Sequence, residues 1–220
     1  SFLTRFSNLK SLSISCSRVV NFDRIKALNL LDTFSFISRI NQRLDFSHFN
    51  KLKVFSIDWK SKYELDTLSR NLEFLSVDRG SKLNWDNLLN DKPFLKKIEL
   101  VDCDLSSTDI VFRLPTIQYL ALTGCKKVVF NVNSENNSLK FIDFRGVPID
   151  RLDWVRFLES IEIICINNAG QIESIEPIKG NSTITGLMFS GNTTFNDGNL
   201  DVLETLENLR NCFITGKRHY

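Results

Sequence analysis

Metal and nucleophilic chemistry rest mostly on histidine and cysteine, and this chain has little of the former. Its 220 residues include two histidines, His48 and His219, and five cysteines, Cys16, Cys103, Cys125, Cys165 and Cys212. A zinc site gathers Cys and His at short paired spacings. No CxxC pair occurs, and neither histidine has a Cys or His at ligand spacing. A Ser–His–Asp or Cys–His site needs an imidazole held by a rigid surround beside the nucleophile, and this inventory offers none. The phosphate-cradling patterns GxGxxG and GxxxxGK[ST] are missing too. The stretch SGNTTFNDGN at 190–199 reads as a turn, because Gly, Asn, Asp and Ser supply turn conformations. Neighbouring acids such as Asp102 and Asp104 read as solvated. The expectation is a protein that is no enzyme, with no cofactor and no metal.

The cysteines point elsewhere. Their odd number argues against a disulfide framework. Isolated cysteines with apolar flanks behave as small buried hydrophobes, and reduced thiols fit an intracellular, cytoplasmic setting. Asn136, Asn181 and Asn192 each head an N-x-[S/T] triplet, which would matter only in a secreted protein. Charge is balanced, 28 basic residues against 26 acidic. That lacks the concentrated positive field that nucleic acid or an anionic membrane calls for. Lys51/Lys53 and Lys96/Lys97 are short clusters near acids and read as solvated surface. No apolar run reaches the length of a membrane span.

The elements that position these residues come from a repeat. An apolar triplet recurs in which the second member follows the first by three positions and the third follows the second by two. It reads Leu9/Leu12/Ile14, Leu31/Phe34/Phe36, Leu52/Phe55/Ile57, Leu72/Leu75/Val77, Leu95/Ile98/Leu100, Ile117/Leu120/Leu122, Leu139/Ile142/Phe144, Ile161/Ile164/Ile166, Ile184/Leu187/Phe189 and Leu209/Cys212/Ile214. The middle members are separated by 22, 21, 20, 23, 22, 22, 22, 23 and 25 residues. Positions two apart share one face of a strand, so the spacing predicts ten short strands stacked in parallel over a continuous core.

The segments LKKIELVDC (95–103), IQYLALTGC (117–125) and ITGLMFSGN (184–192) carry the pattern best. It resembles the leucine-rich-repeat family, with its LxxLxLxxN or LxxLxLxxC consensus. The resemblance covers nearly the whole chain and implies an α/β solenoid. This is a horseshoe with a parallel sheet on its concave face and mixed helical, 3₁₀ and extended returns. Residues 1–220 read as one such domain, which could be a fragment of a longer chain. In the family the ninth position closes the turn; here it is Cys103, Cys125 and Asn192, but elsewhere Ser17, Arg39, Lys60, Gly80, Val147 and Ala169. Among the returns, IDRLDWVRFLESI (149–161) has an apolar residue every three positions, as in internalin-type repeats. Residues 198–209 and 23–34 read as helical, and 131–139 as a polar loop.

The resemblance implies recognition by the strand-lined face, and the alternation says which residues form it. One column carries Val54, Phe74, Lys97, Tyr119, Phe141 and Ile163. The aromatic members make it an apolar stripe where a solvated strand face would be polar. Asp58, Trp59, Asp78, Arg79, Glu99, Asp143 and Arg145 border it, and the acids suggest a partner with positive charge. The expected function is non-catalytic binding of a partner protein, with neither nucleic acid nor membrane as ligand. It could be the substrate-recognition repeats of a ubiquitin-ligase receptor, a bacterial immunity protein that neutralises a toxin, or a structural spacer.

Overall fold

A computed structural model describes residues 5–19, 22–38, 43–60, 63–131 and 135–215. Arg39 and His219 lie outside the described residues. The triplets form ten strands: β1 (Ser11–Cys16), β2 (Thr33–Ser38), β3 (Val54–Asp58), β4 (Phe74–Asp78), β5 (Lys97–Val101), β6 (Tyr119–Thr123), β7 (Phe141–Arg145), β8 (Ile163–Asn167), β9 (Gly186–Ser190) and β10 (Asn211–Ile214). They pair in chain order in one parallel ten-stranded sheet. Every middle member of the triplet faces the next, from Leu12↔Phe34 to Leu187↔Cys212. The periodicity therefore fixed the register as well as the fold, a leucine-rich-repeat solenoid.

The returns correct one expectation. Residues 23–34 and 198–209 hold no long helix; they contain 3₁₀ turns at Ile25–Ala27 and Asp201–Thr205. The reason is the spacing of their apolar residues, which is three rather than 3.6. Leu203, Leu206 and Leu209 each donate a backbone N–H to the carbonyl three residues back. Ile25, Leu28 and Leu31 do the same, as do Val155, Leu158 and Ile161 in the internalin-like return. One turn of this kind aims one apolar side chain into the core, and the next turn aims the next. Short α-helices form only at Trp85–Leu89 and Asp109–Phe112 among the described residues. At the first, Asn84 caps by accepting from the Asn87 N–H at 3.0 Å.

The turns after β4 to β9 share a device. Arg79, Asp102, Gly124, Gly146, Asn168 and Gly191 occupy the same repeat position, and all have φ between 50° and 70°. Most send their N–H to the last carbonyl of the next strand, Arg79 to Val101 and Gly124 to Arg145, for example, at 2.8 Å. Left-handed backbone favours glycine, and at Gly124 a Cβ would also collide with the Asp102 carboxylate. One residue further on, the side chain turns inward. Cys103 is fully buried, and its Sγ meets the carbonyls of Val77 and Val101 at 3.4 and 3.3 Å. Cys125 repeats this one strand along. Asn192 departs from the expected role: it is exposed, and the neighbouring Thr193 turns in, its Oγ1 accepting from the Ala169 N–H at 3.2 Å.

Candidate functional site

The register places Val54, Phe74, Lys97, Tyr119, Phe141 and Ile163 side by side across six strands. All six are half-buried, their bases set in the sheet and their ends in the open. Tyr119 and Phe141 stack with ring centroids 4.9 Å apart and planes 11° from parallel. Lys97 does not interrupt the column. Its Nζ lies 5.1 Å from the Phe74 ring centre and 4.5 Å from that of Tyr119, so the cation joins the two rings. Four consecutive side chains, Phe74–Lys97–Tyr119–Phe141, thus make a single rib. Sequence reading sets Lys97 in this column but does not count it among the partner-binding residues.

The column continues from the rib to Ile163 and loses bulk at the next position, Gly186, over which the Ile163 side chain leans. Beside Tyr119 a hollow of about 240 Å³ opens, floored by Ala121 and walled by Glu99, Asp143 and Arg145. The small Ala121 between two long acidic neighbours makes this room.

The acids that border the rib are not waiting for a partner. Arg145 grips Asp143 through two bonds, Nε at 2.9 Å and Nη2 at 2.7 Å. Glu99 meets Lys97 Nζ at 2.8 Å. Asp58 accepts from Lys60 Nζ and Arg79 Nε, each at 3.0 Å. Burial alone would raise the Asp58 carboxyl, but the bonds from Arg79 and Lys60 outweigh it and hold it below the ordinary carboxylate value. Asp78 goes the other way: burial raises it, and Asp58 and Asp102 add like charge against the nearby Arg79. The expected attraction for a positively charged partner is therefore mostly answered within the chain. Burial, then Asp143, pushes the Tyr119 phenol up, so it stays a neutral hydroxyl.

Trp59 does not join this surface. Its ring turns into the core at 9% exposure, with Nε1 lacking a hydrogen-bond partner. Exposed Met188 and Phe213 extend the adjacent column past Cys165, and sequence reading misses them because it stops at the central repeats.

Asp45, Ser47 and His48 form one more cluster with catalytic residue types. Ser47 Oγ lies 2.9 Å from Asp45 Oδ2 and 3.2 Å from His48 Nδ1. The carboxylate holds the serine and not the imidazole, which reverses the order that a base-orienting acid requires. Asp45 also accepts from the Ser47 N–H at 2.8 Å, so the cluster is a local turn on an exposed return. Among the described residues no group of His, Cys, Asp and Glu could hold a metal ion, and no helix is long and apolar enough to cross a membrane.

No family model and no curated protein sequence matches the chain. Solved structures match it in shape. An internalin, InlF, from Listeria monocytogenes aligns with a TM-score of 0.74 at 14% identity, over 97% of this chain and 62% of its own. A leucine-rich-repeat protein of Leptospira interrogans gives 0.65 at 16%, over 97% and 58%. TLR13, in its complex with ssRNA13, gives 0.69 at 15%, over 95% of this chain and 33% of its own. The chain spans less than two thirds of each of these three, and the likeness is one of fold.

Proposed function

Because the chain has the leucine-rich-repeat fold, we propose that it is a non-catalytic module that grips a partner protein on its strand-lined face. The observation that carries this reading is the half-exposed rib Phe74–Lys97–Tyr119–Phe141, fixed by a stack and a shared cation. Rigid aromatics lose little freedom on binding and dominate interface energetics. The hollow beside Tyr119 would take one partner side chain. A polyanion such as RNA fits less well, since Glu99, Asp143 and Asp78 border the rings. The rib selects for apolar and aromatic complementarity more than for charge, because the bordering acids already have basic neighbours.

We take the setting to be intracellular. What supports this is that all five cysteines are free and that buried Cys103 and Cys125 spend their thiols on backbone carbonyls. Substrate recognition in a ubiquitin ligase and neutralisation of a toxin by an immunity protein would both use such a face, and the identity of the partner separates them. The test is affinity capture from the native source with the wild type and with a Phe74→Ser, Tyr119→Ser, Phe141→Ser variant. Loss of the captured partner in a variant that keeps its circular dichroism and melting transition is the expected result. Equal capture by both proteins overturns the reading.

A further inference from the structure

A second surface lies at the strand-start edge, where its residues come one position before the column that carries the rib. A groove of about 580 Å³ runs there across the first five repeats. Its basic residues are Lys10, Lys51, Lys53 and Lys96, and its apolar ones are Leu30 and Phe94.

The groove exists because a repeat rule is broken. Four residues before the middle strand member, most repeats carry a small polar residue, and several of these bond a carbonyl of the preceding repeat. Thr116 donates to Pro93 O at 2.9 Å, Ser160 to Asn137 O at 2.8 Å, Thr183 to Ile161 O at 2.8 Å and Asn208 to Ser182 O at 2.7 Å. In three of the first five repeats this position is instead Leu30, Lys51 or Phe94. Leucine and phenylalanine have no group to make that bond. The edge stays open there, and Phe94 stands 53% exposed. A phenylalanine held so far into water, where most repeats keep a small polar side chain, marks a contact surface.

Charge narrows the occupant. The four lysines face two acids, Asp32 and Glu73, an excess of two positive charges. Glu73 is shared by Lys53 at 3.2 Å and Lys96 at 2.9 Å, which hold its carboxyl low. Lys10 and Lys51 make no ion pair among the described residues. Along the edge the order is Lys10, Asp32, Lys53, Glu73, Lys96, each one strand from the next. Strands about 4.8 Å apart put successive edge lysines roughly 9.6 Å apart. An extended polyproline-II chain repeats every three residues, or about 9.3 Å, with side chains i and i+3 on one side. A continuous phosphate backbone would put a charge opposite Asp32 and Glu73 as well as the lysines, whereas carboxylates on every third residue would fall in line with Lys10, Lys53 and Lys96 and skip the two acid positions.

We propose that this groove docks an extended acidic peptide segment of a partner protein, with carboxylates at every third position and an aromatic or aliphatic side chain against Phe94 and Leu30. The proposal is independent of the rib. The test is fluorescence anisotropy with labelled synthetic peptides: an acidic peptide with that spacing and one phenylalanine, the same composition with shuffled spacing, the same peptide with alanine for phenylalanine, and a single-stranded oligonucleotide of similar charge. The first peptide binds, and each of the other ligands binds at least tenfold more weakly. Lys51→Glu and Phe94→Ala, both at exposed side chains that leave the core intact, each weaken the first peptide at least tenfold, while Tyr119→Ser leaves it unchanged. Equal binding of the shuffled or phenylalanine-free peptide, tighter binding of the oligonucleotide, indifference to Phe94→Ala, or no binding of any ligand by the folded wild type overturns the proposal.

Discussion

From the return before β2 through β3 the interior is built around six phenylalanine rings; from β7 to β9 isoleucine predominates, around Phe144, Trp154 and Phe189. The first stretch buries Phe22, Phe34, Phe36, Phe46, Phe49 and Phe55, and the second buries Ile142, Ile149, Ile161, Ile164, Ile166 and Ile172. The rings meet at angles, Phe46 against Phe55 at 5.0 Å and 67°, Phe22 against Phe36 at 5.5 Å and 80°. The step between middle members is 21 and 20 residues in the ring-filled stretch and 22 and 23 in the aliphatic one. The strands stay in register through both stretches. The same backbone repeat thus accepts a phenylalanine-rich and an isoleucine-rich interior, each close-packed as protein interiors are.

The difference can be tested from its largest consequence downward. Phe55→Ala removes a ring that touches both Phe34 and Phe46 and should cost about 3–5 kcal/mol in urea unfolding. Leu120→Ala, in the repeat between the two stretches, should cost about 2–5 kcal/mol. If Phe55→Ala proves the milder of the two, the rings are not acting as a unit. A double-mutant cycle on Phe34 and Phe55 should show a coupling of about 0.5–3 kcal/mol. The aliphatic stretch is best probed with Ile164→Val, which should cost only about 0.5–1.5 kcal/mol. Gln118→Ala, exposed beside Tyr119, should stay within about 0.5 kcal/mol, and it calibrates the series.

Acid should separate the two stretches as well. The carboxyls held below their ordinary values are Asp45, Asp58 and Glu73, all before β5. A carboxylate with a depressed folded value contributes stability above its unfolded value, and loses it as pH falls through the folded one. Below about pH 4, hydrogen exchange should therefore accelerate first in β2–β4, with β7–β9 lagging. Asp58→Asn should flatten part of that dependence; uniform acceleration along the chain would remove the distinction.

The sequence is legible where its period is backbone-imposed. Middle members such as Leu75, Ile98 and Leu120 read as core and are core, and Phe74, Tyr119 and Phe141 read as one column and form one. The return at 198–209 misleads because a spacing of three passes for a helical one. Trp59 misleads because alternation ends with the strand, and the turn then decides where a side chain points. Lys97 is undervalued because a charge in an apolar column looks like an interruption until its ring neighbours are in place. The row of left-handed turn residues is legible only in part: glycine announces it at 124, 146 and 191, but arginine, aspartate and asparagine do not at 79, 102 and 168.

At the strand-start edge each repeat lends one carbonyl to two N–H groups of the next: Lys53 O accepts from Glu73 and Phe74, and Lys96 O from Gln118 and Tyr119. Under tension applied at its two ends, the molecule would give way as a zipper does, one doubled clasp at a time. Each release would free roughly 22 residues, or about 80 Å of contour at near 3.6 Å per residue. A pulling trace should then be an evenly spaced sawtooth instead of a single rupture.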